Sequence, residues 1–360
     1  MRTDDLDYDL PPDAIAQTPV TPRDSARLLV DSGDDVAPLD RSVRDLPSLL
    51  REGDLVVVND TRVLPARVAI RRSSGGGGEV LLLEECGEGW WESLCRPSRK
   101  LHVGELVDAV HGELVFEVGE VLEDGRRLVR PLLGGEPAGA GLLDALDLAG
   151  AAPLPPYITE TLEDAERYQT VFAQRPASAA APTAGLHLTR ELLAELETRD
   201  IPLARVELVV GLDTFRPITT DTVEAHEIHS EWYSVPQDTW AAVERTHAAG
   251  GRVVAIGTTS VRALESVVAT GELSGRTRLF ITPGFRFQVV DTMMTNFHLP
   301  RSSLLAMIEA FVGPRWRDLY STALDRGYRF LSFGDAMLLD RDGSLDSSEI
   351  DADSNGTTSA

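Results

Sequence analysis

The sequence predicts the α/β fold class, with a mixed-sheet α/β domain interrupted by an inserted small β-barrel domain. Residues 1–65 and 151–340 alternate strand-like segments, polar turns and helix-like segments, which is typical of an α/β layer. Between them, residues 66–150 carry only short strand-like segments separated by glycine-rich or charged turns, which is typical of a small barrel. Residues 341–360 are rich in Asp, Ser and Gly, so we predict an acidic disordered tail.

The composition restricts the class of protein further. A hydrophobic fraction of 42% is that of a globular chain, and no apolar run is long enough to cross a bilayer. The first residues contain no apolar signal-peptide core, so we predict a cytoplasmic protein without a membrane partner. The two cysteines, Cys86 and Cys95, fit neither a disulfide framework nor a zinc site, and this favours a reducing compartment.

The charge balance bears on nucleic-acid binding. A net charge of −24 argues against broad nonspecific binding of nucleic acid, but it does not exclude a local basic groove. Lys100 is the only lysine in the chain, so any such groove would consist of arginine side chains.

The first α/β stretch begins with a short strand predicted at Arg27–Val30, followed by a helix predicted at 42–50 with Ser42 as its cap. An apolar segment at 54–58 predicts a strand buried on both faces. Four polar residues, Asn59-Asp60-Thr61-Arg62, come next. Turn chemistry favours a solvated turn there, and the alternative is a functional site.

The middle stretch predicts six short strands separated by turns. They lie at 68–71, 79–83, 91–94, 106–110, 114–118 and 127–132. The second α/β stretch then predicts strands at 203–210 and 252–256. It also predicts helices at 163–173, 190–199, 239–249, 261–269 and 304–311, the last capped by Ser302 or Ser303.

The segment AAAPTAGLHLT at 179–189 combines several loop signals. Pro182 disfavours helix at the residue before it, and Gly185 permits a turn that most residues avoid. His187 follows, and Thr189 can cap the next helix. An ordinary loop with a structural histidine explains this pattern, and so does a loop that a ligand approaches closely.

Four of the seven histidines, namely His187, His226, His229 and His298, lie in polar loops of the second half. The spacing of His226 and His229 does not match the helical zinc motif, and no partner set of carboxylates is evident, so we predict no metal. Neutral imidazoles suit acid–base or hydrogen-bonding roles, although any single one can be structural.

A second polar turn, Gly257-Thr258-Thr259-Ser260, follows an apolar strand and precedes a helix. It offers N–H groups and hydroxyls to an anion, and Arg262 adds a planar guanidinium one turn later. Simple helix capping explains the same residues. The turn lacks the lysine and spacing of a phosphate-binding P-loop, and no dinucleotide-binding glycine motif follows any strand.

Taken together, longer motifs resemble a known family. They are DYDLPPDAIAQTP, PRDSARLLV, GDLVVVNDTRVLPAR, PLPPYI, ERYQTVFA, AAPTAGLHLT, TFRPI, HEIHSEWY, GGRVVAIGTTSVRALES, TNFHLPRSSLL and YRFLSFGDAML. From Tyr8 to about Leu338, the chain resembles the S-adenosylmethionine:tRNA ribosyltransferase-isomerases of queuosine biosynthesis. It departs from the family pattern at Leu188, where Phe is usual, and at Asp213, where Gly is usual.

The resemblance implies an α/β domain interrupted by a β-barrel, and it implies a reaction. S-adenosylmethionine serves as a ribosyl donor, and the ribosyl unit is transferred and isomerised onto 7-aminomethyl-7-deazaguanine at the wobble position of tRNA. The products are epoxyqueuosine-tRNA, adenine and methionine. The resemblance also implies no metal and no further cofactor, since S-adenosylmethionine is a consumed substrate. We expect the protein to be a monomer.

That reaction needs a base next to the sulfonium and an acid for the departing adenine. The catalytic candidates are His187, His226, His229, Glu231 and His298. Binding needs carboxylate and amide partners for the deazaguanine, aromatic rings for stacking and arginines for the tRNA backbone. The substrate-binding candidates are Asp60, Arg62, Thr183, Gly185, Phe215, Arg216, Thr258, Thr259, Ser260, Arg262, Asp291, Asn296 and Phe297.

Overall fold

The computed structural model describes residues 1–34, 36–122, 125–211 and 217–341. The chain forms two compact units. The first comprises 1–61, 156–175 and the described residues from 181 onward, and the second comprises 62–155 and 176–180. The predicted boundaries at 66 and 150 stay a prediction, and the predicted tail lies outside the described residues after Arg341.

Within the described residues the strands are β1 (Arg27–Val30), β2 (Leu39–Ser42), β3 (Leu55–Asn59), β4 (Arg62–Val63), β5 (Arg67–Arg71), β6 (Gly77–Gly87), β7 (Trp90–Arg96), β8 (Leu106–Ala109), β9 (Val115–Val121), β10 (Arg127–Leu133), β11 (Glu136–Pro137), β12 (Gly150–Ala151), β13 (Pro176–Ser178), β14 (Leu203–Leu208), β15 (Glu231–Ser234), β16 (Val253–Ile256), β17 (Ser274–Thr277), β18 (Thr292–Asn296) and β19 (Ala336–Asp340). The helices are α1 (Leu46–Leu49), α2 (Leu142–Ala149), α3 (Arg190–Thr198), α4 (Gln237–Ala248), α5 (Thr258–Thr270), α6 (Ser303–Val312) and α7 (Trp316–Asp325).

A nine-stranded mixed sheet organises the first unit, in the order β17-β15-β14-β3-β16-β18-β19-β1-β2. Its centre, β14-β3-β16-β18, is parallel, whereas β19 runs antiparallel to β18. The four central strands therefore end at the same edge of the sheet. All five residues of β3 are buried, as its uninterrupted apolar run predicts.

The second unit contains a closed barrel. Strands β10, β7, β6, β5, β8 and β9 pair in that order, and β9 pairs with β10 to close the ring. The six barrel strands coincide with the six strands predicted from the sequence, with shifts of a few residues at their ends. The α/β class with a small barrel is therefore confirmed.

Three predicted elements differ from the structure. The segment 163–173 forms only a short 3-10 turn at Ala165–Tyr168, and the helix predicted at 42–50 is a 3-10 turn followed by the single-turn helix α1. Helix α5 begins at Thr258, three residues before its predicted start. The predicted solvated turn after β3 is wrong, because Asn59, Asp60 and Thr61 are all buried.

Candidate functional site

A pocket of about 610 Å³ opens to solvent in the first unit. It lies at the carboxyl ends of β16 and β18, because Gly257 directly follows β16 and Asn296 ends β18. Loop residues Thr183 and Ser332 and strand-end residue Thr295 also line it. A crevice at the carboxyl ends of parallel strands is the usual ligand site of open α/β sheets.

The N-terminus of α5 forms one wall of this pocket. Gly257, the residue before the helix, has φ 85°, a backbone conformation that side-chain-bearing residues rarely adopt. It places Thr258 and Thr259 in the first turn, where backbone N–H groups lack intrahelical acceptors. Thr259 Oγ1 is buried without a hydrogen-bond partner among the described residues. This turn is therefore equipped to bind an anionic or polar ligand group.

Ser260 differs from the two threonines that precede it. It is fully buried, and its hydroxyl donates a hydrogen bond of 2.8 Å to the Ile256 carbonyl. It is not among the residues that line the pocket. The Ser260 hydroxyl therefore forms a structural hydrogen bond at the start of α5 and does not face the pocket.

Asn296 and Thr183 also line the pocket. The Thr183 hydroxyl donates to Asn296 Oδ1 at 2.8 Å, and the Asn296 amide donates to the Asp335 carbonyl at 3.3 Å. Phe297 follows, but its ring is fully buried and stacks on Phe330 with a centroid distance of 4.6 Å. Its ring therefore belongs to an aromatic cluster, which leaves no free face of the kind that a stacking base needs.

Of the five catalytic candidates, only His298 lines the pocket. Its Nε2 lies 3.0 Å from Thr295 Oγ1, and its backbone N–H donates to the Tyr320 hydroxyl at 2.9 Å. Burial lowers the pKa of His298 to about 3, so the imidazole is neutral near pH 7. The pocket therefore contains a fixed, neutral imidazole.

His187 lies in a different cavity of about 260 Å³ in the same unit. Its Nε2 lies 2.9 Å from the Gly334 carbonyl oxygen, and its side chain is buried. Burial, together with the charges of Arg329 and Arg23, lowers the pKa of His187 to about 4. The structure thus separates the two buried histidines that the sequence grouped together.

Gly185 also has a structural explanation. It lies in the 3-10 turn Thr183–His187, and its φ is not in the positive range that favours glycine. A Cβ at this position would lie 2.8 Å from Phe172 Cζ and 3.1 Å from Thr170 Cγ2. Glycine is needed there for close packing, and the sequence-based explanation of an unusual turn was wrong.

A buried ion pair accounts for Arg262 and Glu231. The Arg262 guanidinium pairs with the Glu231 carboxylate and also donates to the carbonyls of Leu279 (3.0 Å) and His229 (3.2 Å). The other Glu231 oxygen accepts from the Gly211 N–H at 3.1 Å. None of these side chains lines the pocket, so their contacts tie α5 to β15 and its flanking segments.

The remaining candidates are dispersed. His226 packs edge-on against Phe280 at 5.7 Å, and burial lowers its pKa. Asp60 lies at the carboxyl end of β3, where burial and then Glu207 raise its pKa, while Arg205, 3.7 Å away, acts in the opposite direction. Asp60 does not line the pocket.

Asp291 lies at the amino end of β18, at the sheet edge opposite to the pocket. It accepts from the Val253 N–H and lies 2.9 Å from His247 Nε2. Arg62 belongs to the second unit, in β4. Asp213, Phe215 and Arg216 lie outside the described residues.

The individual-residue predictions did not include four polar residues of the pocket, namely Tyr157, Thr295, Ser302 and Ser332. The hydroxyls of Tyr157 and Ser332 are 2.7 Å apart, and burial raises the pKa of Tyr157 to about 12. Both lie in motifs that carry the family resemblance, PLPPYI and YRFLSFGDAML. Motif membership was thus the available signal, because neither residue type marks a site by itself.

No group of three or more His, Cys, Asp or Glu residues that could hold a metal ion occurs in the described part of the chain. Among the same residues, no helix is long and apolar enough to span a membrane. Both cysteines are free thiols, Cys86 exposed and Cys95 buried.

The fold and the pocket define a class: an α/β protein with a pocket beside a helix N-terminus at the carboxyl edge of its sheet, the usual position of a small-ligand site in open α/β sheets. Comparison with known proteins gives the family. The model of the family described as queuosine biosynthesis protein matches residues 3–339, and this chain belongs to that family.

Relatives match over nearly their whole length. The S-adenosylmethionine:tRNA ribosyltransferase-isomerase of Gloeobacter violaceus is 50% identical, with 94% of this chain and 95% of the relative covered. The enzyme of the same name from Rubrobacter xylanophilus is 47% identical, with 94% and 98% covered. The crystal structure of the S-adenosylmethionine tRNA ribosyltransferase from Thermotoga maritima matches with a TM-score of 0.53, 34% identity, and coverage of 93% and 99%.

Proposed function

We infer that this protein is an S-adenosylmethionine:tRNA ribosyltransferase-isomerase of queuosine biosynthesis. It transfers and isomerises the ribosyl unit of S-adenosylmethionine onto 7-aminomethyl-7-deazaguanine at the wobble position of tRNA, and it releases adenine and methionine. The observation that supports this most strongly is the similarity to curated enzymes of that name, at 44–50% identity over more than nine-tenths of the chain.

We propose that the 610 Å³ pocket holds the donor. The first turn of α5 offers N–H groups and the hydroxyls of Thr258 and Thr259 to the methionine carboxylate of the donor. The hydrogen bond from Thr183 to Asn296 fixes two further polar side chains of the pocket.

We propose His298 as the base that removes the proton from the carbon next to the sulfonium. It is the only imidazole, and no carboxylate occurs, among the described residues that line the pocket. Its lowered pKa leaves it unprotonated near pH 7, which is the form that can accept a proton. The contact of Nε2 with Thr295 fixes the ring and leaves Nδ1 for the substrate.

The decisive experiment measures adenine release by the purified protein from S-adenosylmethionine and tRNA that carries 7-aminomethyl-7-deazaguanine. We expect release that depends on both substrates, with the modified nucleoside appearing in the tRNA. The free deazapurine base serves as a competing acceptor. Release with the free base alone would identify a small-molecule enzyme, and binding of tRNA without release would identify a noncatalytic RNA-binding protein.

We further propose that the protein acts as a cytoplasmic monomer without a metal or additional cofactor. The acceptor named by the relatives, tRNA, supports the location. Activity that persists after exhaustive treatment with a chelator, and a solution mass equal to that of one 39.1 kDa chain, would agree with this proposal.

A further inference from the structure

The second cavity of the first unit, about 260 Å³ when the solvent-filled space at its open mouth is included, combines positive charge with an unsatisfied hydrogen-bond acceptor. Arg23, Arg167, His187 and Ser332 contribute its polar lining. Ser332 also lines the donor pocket, so the two cavities share a wall. A ligand group in the second cavity would thus lie next to the site where we place the donor.

The hydrogen bonds that the two arginines donate go to neutral acceptors. Neither Arg23 nor Arg167 has a carboxylate within ion-pair distance among the described residues. Arg23 donates instead to the carbonyls of Gln169 (2.6 Å) and Glu166 (2.8 Å), and Arg167 donates to Thr21 Oγ1 (3.1 Å) and to the Val20 carbonyl. Neutral acceptors fix both guanidinium groups without neutralising their charge.

Arg167 retains unused capacity as well as charge. Its Nε is buried without a hydrogen-bond partner in the described part of the chain. Burial, followed by the nearby positive charge of Arg167, lowers the pKa of Arg23, whereas the charges of Asp164 and Glu166 act in the opposite direction. Two guanidinium groups without a carboxylate at ion-pair distance among the described residues favour an anion at this small cavity, and a planar guanidinium matches the oxygens of a phosphate group.

His187 supplies a group of the opposite kind. Its Nε2 lies 2.9 Å from the Gly334 carbonyl, which can only accept, so Nε2 carries the proton and Nδ1 is an acceptor. Nδ1 is buried and has no partner among the described residues, and the side chain is only 5% exposed. A lone pair fixed in this way needs a donor such as a hydroxyl, which a simple anion does not offer.

A ribose-phosphate unit presents an anion and a hydroxyl donor side by side. Resting on the proposed function, we propose that this cavity binds one ribose-phosphate unit of the tRNA, next to the reacting nucleotide. Arg23 and Arg167 contact the phosphodiester, and His187 Nδ1 accepts a hydrogen bond from the 2′-hydroxyl. Since DNA lacks that hydroxyl, the cavity also selects RNA. His187 is then an acceptor-binding residue and not the catalytic base.

The test uses the wild-type protein with fluorescent anticodon stem-loop RNAs that carry a single 2′-deoxy substitution at each loop position in turn. We expect one position, beside the wobble nucleotide, to weaken binding by about five- to tenfold, as loss of one hydrogen bond to a buried acceptor requires. Equal affinities at all loop positions would overturn the proposal, and this measurement needs no variant.

Two variants assign the effect to the cavity. His187→Phe removes the acceptor, so the penalty of that one 2′-deoxy substitution should disappear, whereas an undiminished penalty would contradict the role of His187. Arg167→Gln should reduce the dependence of log affinity on log salt by about one unit. The exposed Arg190 in α3, as Arg190→Gln, is the matched control and should change neither measurement.

The anion also has a second possible source, the carboxylate of S-adenosylmethionine. Under the proposal, Arg167→Gln leaves the affinity for S-adenosylmethionine unchanged and weakens RNA binding severalfold. The reverse pattern would assign the arginines to the donor and overturn the proposal. Adenine release by the wild-type protein separates failure of the proposed function from failure of this site. No adenine release would refute the proposed function. Adenine release together with equal affinities for all the 2′-deoxy RNAs would refute only the ribose-phosphate site.

Discussion

At the scale of the single residue, His298 is the group that we propose accepts a proton in the pocket. We expect His298→Gln to lower kcat for adenine release by about 10²- to 10⁴-fold, the usual contribution of a general base. The KM for S-adenosylmethionine should change little, because glutamine retains polarity and similar size. His111→Gln, at an exposed position in the barrel unit, is the matched control.

The pH dependence of kcat/KM tests the role of His298 independently. Because the pKa of His298 is lowered to about 3, the imidazole remains a base as the pH falls through the ordinary histidine value of 6.5. We therefore expect kcat/KM to show no histidine titration between pH 8 and 5.5. A loss of activity with a midpoint near 6.5 would assign the base to a solvent-exposed histidine.

The buried pair of Arg262 and Glu231 should act on stability and only indirectly on binding. Arg262→Met removes the guanidinium that pairs with the buried Glu231 carboxylate, which should lower the free energy of unfolding by about 3–5 kcal/mol. Adding Glu231→Gln should recover much of that loss. Urea denaturation measures both, with Arg2→Met, from an exposed pair, as a control expected to cost under about 1 kcal/mol.

If the double variant were as unstable as Arg262→Met, the ion pair would not be the cause. The pair also illustrates what the sequence could not reveal. Arg262 follows a polar turn at a helix start, which resembles an anion site, but its partner Glu231 lies 31 residues earlier in the chain. Only the tertiary structure shows that the guanidinium already forms an ion pair with a carboxylate of the protein.

At the scale of the element, the N-terminus of α5 tests whether the polar turn binds a ligand or caps a helix. The residue before α5 is Gly257, which has no side chain, and the structure shows no side-chain cap there. We expect Thr258→Val and Thr259→Val each to raise the KM for S-adenosylmethionine about tenfold, with little effect on unfolding. Affinity for tRNA should stay nearly constant.

The control for this prediction is Thr189→Val in α3, where the Thr189 hydroxyl accepts from the Leu192 N–H at 3.1 Å and does cap a helix. It should cost about 1 kcal/mol of stability and leave the KM unchanged. If Thr258→Val weakened tRNA binding and spared the donor, the turn would bind a phosphate. If neither the KM for S-adenosylmethionine nor the affinity for tRNA changed, the turn would serve only to start the helix.

Local patterns predicted elements well where local physics determines them. The apolar run of β3, the barrel strands with their turns, and the caps Thr189 and Ser302 are all present. The helix predicted at 163–173 failed for a long-range reason. Arg23 binds the carbonyls of Glu166 and Gln169, which a continuous helix would have used for its own N–H groups.

At the scale of the whole molecule, the two buried histidines link stability to pH. The folded-state pKa values of His187 and His298, about 4 and about 3, lie below the unfolded value near 6.5. Below pH 6.5 the unfolded chain therefore binds more protons, and stability falls as the pH falls. We expect a loss of about 3 kcal/mol between pH 7.5 and 5.5, about 1.4 kcal/mol for each histidine, because the full slope of about 1.4 kcal/mol per pH unit applies only below pH 6.5.

Urea denaturation at several pH values measures this loss. His187→Phe removes one of the two groups, so the pH dependence of its unfolding free energy should be about half that of the wild-type protein. Most carboxylates titrate below pH 5.5, so the histidines contribute most of the change in the chosen range. Stability that rose as the pH fell would mean that these imidazoles gain protons more readily in the folded state.

The net charge of −24 raises the question of how the protein approaches an RNA. Long-range repulsion is screened over about 10 Å at 0.1 M salt, whereas direct contacts between arginine and phosphate persist at that salt. Each contact releases counterions, which lowers log affinity by about 0.7–0.9 for each unit of log salt. Added salt therefore weakens both the long-range repulsion and the arginine–phosphate contacts. Above 0.1 M, the loss of the contacts should be the larger effect on affinity.

We accordingly expect tRNA affinity to fall as salt rises from 0.1 to 0.4 M. The slope of log affinity against log salt should be about −1.4 or steeper, which corresponds to two or more phosphate contacts. Fluorescence anisotropy at constant pH measures the slope, and a thermal melt at each salt concentration confirms that the fold is intact. An affinity that stayed constant or increased with salt would mean that repulsion from the acidic surface dominates. RNA recognition would then depend on uncharged contacts, such as the 2′-hydroxyl acceptor on His187, and not on the arginines.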